Sequence, residues 1–137
     1  AAGRTPVTTV TGDTLGGLNP TPGVYGGGAL DLTGTLTLTG DANAVWIFQM
    51  ASTLVTTSGR KVILIGNAKA ANVFWQVGSS ATINGAGGGI VAGTIISSAG
   101  ATFSTAGNTV ITTLNGRALG LNASVTMVNT VINVPAP

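Results

Sequence analysis

From Ala29 onward, short apolar runs alternate with clusters of Gly, Asn and Ser, and no stretch carries a 3.6-residue apolar period with helix caps. Thr33, Thr35, Thr37 and Thr39 alternate with Leu36 and Leu38, a period of two that predicts a strand with its leucines inward. One passage is written twice. It reads Gly40-Asp-Ala-Asn-Ala-Val-Trp-Ile-Phe-Gln-Met50, then Gly66-Asn-Ala-Lys-Ala-Ala-Asn-Val-Phe-Trp-Gln-Val77. In each copy a polar corner leads into an apolar strand ending in Gln49 or Gln76, and the two strands hold both Trp residues and two of the three Phe residues. A strand that recurs together with its corner predicts a chain winding around itself.

The remaining strands fall into a cycle of three. Val45–Met50, Val73–Val77, Thr94–Ile96 and Arg117–Leu121 are apolar and precede a turn. Ser52–Val55, Ser80–Asn84, Ala101–Ser104 and Ser124–Met127 set Thr or Ser beside an inward apolar residue. Leu36–Leu38, Val62–Ile65, Thr109–Ile111 and Val131–Val134 form the third class. Such a cycle predicts an all-β, triangular parallel β-helix with three strands per coil, little or no α-helix, and stacked Leu54, Ile83, Phe103 and Val125 in its core. An antiparallel sandwich is the alternative, although two-residue hairpin signals are scarce. Residues 1–28 are rich in turn signals and read as an irregular N-terminal segment with one short strand over Pro6–Thr11, while 29–137 read as coils of one domain.

Composition narrows the function classes. Of 137 residues, 44% are hydrophobic and only 6% charged, and the net charge of +2 comes from scattered Arg4, Arg60, Lys61, Lys69 and Arg117. That is too thin a positive field for nucleic acid. No apolar run is long enough to span a membrane. With no His, Glu or Cys, neither a thiolate metal site nor a His-activated nucleophile is available, so no metal, cofactor or catalytic residue is expected. Asp13, Asp31 and Asp41 read as turn carboxylates that cap backbone N–H groups. A polysaccharide-cleaving β-helix would need an acidic pair in a cleft, and Gly85–Gly89 lacks the Lys-Ser/Thr of a phosphate loop.

What remains is a surface. Thr53 and Val55, then Ser80, Thr82 and Asn84, then Thr102 and Ser104, then Ser124 and Thr126 are the positions expected to face outward in the second strand class. High β-propensity accounts for Thr on strands. A solvated face, however, ordinarily mixes in Lys and Glu, which block edge pairing and keep the protein soluble. A rigid, uncharged array of hydroxyls and methyls at fixed spacings suits a repeating partner such as ice or ordered water.

Several segments resemble the microbial ice-binding (antifreeze) proteins of bacteria, yeasts, fungi and diatoms. They are Pro22-Gly-Val-Tyr25, Leu32-Thr-Gly-Thr-Leu-Thr-Leu38, Asn43-Ala-Val-Trp-Ile-Phe-Gln49, Ala70-Ala-Asn-Val-Phe-Trp-Gln-Val-Gly-Ser-Ser-Ala-Thr82 and Asn115-Gly-Arg-Ala-Leu119. The resemblance implies a right-handed solenoid with a flanking α-helix, secretion to the cell exterior, and adsorption to ice through the face around Thr53, Thr82, Thr102 and Thr126. It also implies that the family's N-terminal coils and long helix precede the position of Ala1, so the chain reads as an incomplete or processed version of a larger domain. Because Val45–Phe48 and Val73–Trp75 are apolar at successive positions, Trp46, Phe48, Phe74 and Trp75 are expected to need a cover, from a missing N-terminal segment or by self-association. The competing function is an extracellular structural or adhesive solenoid that assembles through its open ends or that apolar face.

Overall fold

Every pairing between the described strands is parallel and joins segments one winding apart, as the repeated passage predicts. The computed structural model describes residues 8–9, 15–57, 59–105 and 109–135. Its strands are β1 (Thr8–Thr9), β2 (Gly23–Gly27), β3 (Leu30–Leu32), β4 (Leu36–Gly40), β5 (Trp46–Met50), β6 (Leu54–Thr56) and β7 (Val62–Gly66). They continue with β8 (Val73–Val77), β9 (Ala81–Ile83), β10 (Ile90–Ser97), β11 (Ala101–Phe103), β12 (Thr112–Gly120), β13 (Val125–Met127) and β14 (Thr130–Asn133). The strands stack into a seven-stranded sheet ordered β1-β2-β5-β8-β10-β12-β14, a five-stranded sheet ordered β13-β11-β9-β6-β3, and a two-stranded sheet of β4 and β7. The protein is an all-β parallel solenoid. Among the described residues its helical element is one 3-10 turn, Ala70–Asn72.

The two copies of the repeated passage lie directly on each other. Gly40 pairs with Gly66 and Gln49 with Gln76, and the 3-10 turn takes up the extra residue of the second corner. Farther along, the third side of the solenoid is carried by the leading halves of the longer strands. Ile90 bridges Lys61 beside β7, whereas Thr94 pairs with Phe74 of β8, so β10 changes sides near Gly93 without a loop. β12 does the same at Gly116, the register partner of Gly93.

Inside, side chains stack in rows along the solenoid axis. Tyr25, Phe48 and Trp75 form one row, with ring centroids 5.7 Å and then 4.5 Å apart, and Ile95 continues it. Leu30, Leu54, Ala81, Ala101 and Val125 form another, and Leu32, Thr56, Ile83 and Phe103 a third, which Met127 ends in an exposed position. Both indole N–H groups find carbonyl partners: Trp46 Nε1 donates to Pro20 O (3.0 Å), and Trp75 Nε1 to Ala92 O (2.9 Å). At the corner after β10, the hydroxyl of fully buried Ser97 lies 2.7 Å from Ser79 O and 2.8 Å from Gly100 O, tying consecutive coils together. Ser97→Ala leaves both carbonyls without that donor and is expected to cost about 1–2 kcal/mol, read as a shift in denaturation midpoint at constant slope.

Trp46, Phe48 and Trp75 need no external cover, because strand alternation turns all three into the interior, where each is at most 1% exposed. Phe74 alone of that set faces out, half-buried between Ile47 and Thr94 in its row. The sequence shows apolar residues at successive positions but not which ones the pleat turns inward. Residues 1–28 are not irregular throughout, since β2 joins the large sheet beside β5 and β1 joins β2. The rest of the strand expected over Pro6–Thr11, together with Arg4 and Asp13, lies outside the described residues. Thr109–Ile111 is not a strand: Val110 and Ile111 are each 57% exposed, and the third-side strand begins at Thr112. Leu54 and Ile83 are both core residues but belong to different rows, and buried Thr56 is the true neighbour of Ile83.

Candidate functional site

The five-stranded sheet presents two outward rows. Register places Asp31, Val55, Thr82, Thr102 and Thr126 in line, one from each strand. The second row consists of the residues just ahead of the strands. Leu30 N donates to Thr53 O, Leu54 N to Ser80 O, Ala81 N to Gly100 O and Ala101 N to Ser124 O, which aligns Ala29, Thr53, Ser80, Gly100 and Ser124. Parallel strands set neighbours within a row about 4.8 Å apart and the two rows about 6.7 Å apart. Because each strand is only three residues long, little twist accumulates along it.

Hydrogen bonds at both margins hold the register. On the side nearer the large sheet, Ser79 N donates to Ser52 O (2.9 Å), Ala99 N to Ser79 O (2.8 Å) and Asn122 Nδ2 to Ser98 O (2.9 Å). On the other side, Asn84 N donates to Thr56 Oγ1 (2.6 Å), and Asn84 Oδ1 accepts from Arg60 N (3.3 Å). These bonds fix the backbone, so the outward side chains are ordered by the coil beneath them.

Seven of the nine expected positions come together on this face: Thr53, Val55, Ser80, Thr82, Thr102, Ser124 and Thr126. Ser80, Ser124 and Thr126 are exposed, the other four half-buried among their neighbours. Asn84 and Ser104 do not belong to it. Both are fully buried, with φ of 47° and 64°, because the strand ends at Ile83 or Phe103 and the next residue turns the chain through the left-handed region. Extending the two-residue alternation past the strand end put them on the wrong side. The Asn84-Gly85 pair was the available turn signal.

Asp31 departs in the opposite direction. It is not a turn carboxylate but the middle residue of β3, exposed in line with Val55 and Thr82. The alternation Leu30-Asp31-Leu32 held that information. Asp41 is the capping carboxylate expected, its Oδ1 accepting from Asn43 N at 2.8 Å. The second row is interrupted at Gly100, which offers backbone only. Among the described residues no three acidic, His or Cys side chains converge. A depression of about 440 Å³ lined by Gly26, Gly27, Gln49, Met50, Ala51, Gln76 and Gly78 carries no titratable group. The other two sides are less uniform, one bearing Arg117 and Leu119, the other Lys61, Ile63 and Ile65, all exposed.

A family model described as ice-binding-like matches residues 1–133. The chain belongs to the ice-binding-like family. An ice-binding protein of Nostoc sp. (strain HG1) is 45% identical over 121 residues, which make up 86% of this chain and 42% of that protein. One from Flavobacterium frigoris (strain PS1) is 34% identical over 119 residues, covering 86% and 41%. The fold recurs in the crystal structure of an ice-binding protein from an Antarctic biological consortium (TM-score 0.84, 40% identity), with 96% of this chain aligned to 59% of that one. It recurs again in the ice-binding protein of the Antarctic ascomycete Antarctomyces psychrotrophicus (TM-score 0.82, 35% identity, 96% and 61% covered). The chain thus spans about four tenths of the length of these two curated family members. Among its described residues, no helix is long and apolar enough to cross a membrane.

Proposed function

We propose that this chain adsorbs to ice through Thr53, Val55, Ser80, Thr82, Thr102, Ser124 and Thr126, and that it acts outside the cell by restraining ice growth or recrystallisation. The observation that carries the reading is the pair of in-register outward rows, uncharged from Val55 to Thr126. Membership of the ice-binding-like family, and relatives named for ice binding, support the same partner.

The mechanism follows from the side chains. A threonine offers a hydroxyl that donates and accepts, beside a methyl that water can only surround. Held at repeating spacings on a rigid sheet, hydroxyls anchor waters while methyls restrict their orientations, so the water over the face already approaches the order of a crystal surface. Docking then requires little further ordering of either partner, the advantage of preorganisation. Each contact is weak, and adsorption depends on many acting together across a level surface. No proton transfer or covalent step is involved, so the lack of His, Glu and Cys costs this activity nothing.

Slow directional freezing of a dilute solution tests the proposal. The chain is expected to concentrate in the ice fraction relative to a non-binding globular protein of similar size. Recovery of the chain in the liquid fraction, together with sedimentation as multimers, would replace this reading by that of an assembling structural solenoid. The observation favouring that alternative is the end of the stack, where β13 and β14 are terminal strands and Met127 and Val131 are 51% and 45% exposed.

A further inference from the structure

The row that organises the proposed face is Asp31, Val55, Thr82, Thr102, Thr126, and a charge stands at one end of it. Asp31 is exposed, occupies the same outward register position as the threonines, and has no hydrogen-bond or ion-pair partner for its carboxylate among the described residues. Among the described strands, its strand is the last of its sheet. The remaining described charges, Asp41, Arg60, Lys61, Lys69 and Arg117, occupy corners or the other two sides.

We infer that Asp31 terminates the ice-contacting footprint, keeping its own coil off the crystal and confining adsorption to the four coils from Val55 to Thr126. This rests on the face proposed above and deepens it by giving the face a boundary. A carboxylate orients a dense hydration shell around a full charge, and removing or immobilising that shell has a free-energy cost that an uncharged row does not incur. An ice surface offers no counter-ion to offset it. Where Thr82 and Thr102 template water suited to a lattice, Asp31 templates water suited to an ion.

A competing explanation is that the charge only guards an open sheet edge against pairing with another chain. The outer backbone of β3 is already engaged, because Leu15 N donates to Asp31 O at 2.8 Å. Edge protection is therefore provided in part by the chain itself at this residue, and the outward direction of the side chain bears on the face rather than on the edge.

Asp31→Thr and Asp31→Asn remove the charge, Asp31→Lys reverses it, and Thr82→Tyr serves as the control for the face itself. All four are checked for folding by circular dichroism and compared in ice-recrystallisation inhibition at equal concentration. The expected result is that Thr and Asn at position 31 lower the concentration needed for half-maximal inhibition about twofold, while Lys gives no gain. If both neutral variants match or fall below the parent while Thr82→Tyr reduces activity, the boundary role of Asp31 is overturned and the face stands. If Thr82→Tyr has no effect, the face itself is wrong and the inference goes with it.

Discussion

Thr82→Tyr and Thr102→Tyr are each expected to reduce ice-recrystallisation inhibition about tenfold or more without lowering stability. Both residues are half-buried in the middle of a row whose neighbours lie one strand away on either side. A tyrosine there projects its ring well beyond the surrounding methyls and hydroxyls and props the plane away from a flat partner. Dispersion contacts lose a quarter to a half of their strength over a gap of roughly 0.5–1 Å, so one tall side chain weakens the neighbouring contacts as well as its own. Tyr is a favoured strand residue, so a folding defect is not the expected cause of the loss. Thermal unfolding by circular dichroism, run beside the ice assay, separates the two effects. Activity retained in both folded variants would move the binding surface to another side of the solenoid.

The second large effect is structural. Gly116→Ala is expected to destabilise the protein by about 3 kcal/mol or more, lowering the melting temperature by about 10 °C. A Cβ at this position would lie 1.7 Å from the carbonyl oxygen of Gly93 and 2.5 Å from its carbon. The obstacle is backbone, and Gly93 is fixed both by its pairing with Gly116 and by a φ of 120°. Relief requires separating β10 from β12 where both strands turn from the third side into the large sheet. Stacked coils contact mainly their neighbours, so the damage should concentrate at the β12–β14 end, and hydrogen exchange should show those amides losing protection first. Gly28→Ala is the control: nothing lies within 4 Å of the added carbon, and the expected change is within about 0.5 kcal/mol. Equal melting temperatures for the two variants would mean that the bend tolerates a wider strand spacing than this geometry allows.

The pattern of residues carried much of the architecture because a parallel solenoid writes its repeat into the chain. Gly40–Met50 and Gly66–Val77 look alike since they occupy equivalent places in successive coils, and their strand pairing follows the likeness nearly residue for residue. Leu36 and Leu38 between threonines fixed their own orientation through the period of two, and both are fully buried. The continuous apolar runs gave no such instruction. In Val45–Phe48 both parities are hydrophobic, and only the stack of Tyr25, Phe48 and Trp75 decides that the aromatic rings fill the interior while Ile47 faces the other way.

The face divides along the same line. By itself the sequence determined that this protein is all-β and coiled, that its charges are sparse, and that small hydroxyl side chains recur once per winding. Those are properties of composition and period, which are local to the chain. Only the tertiary structure decided where each row stops. Asn84 and Ser104 turn inward because their coils bend there, Gly100 leaves a gap because it falls in register with Ser80, and Asp31 joins the Val55 row because β3 stacks on β6. Register and strand ends depend on how one coil packs on the next, and no single winding contains that information.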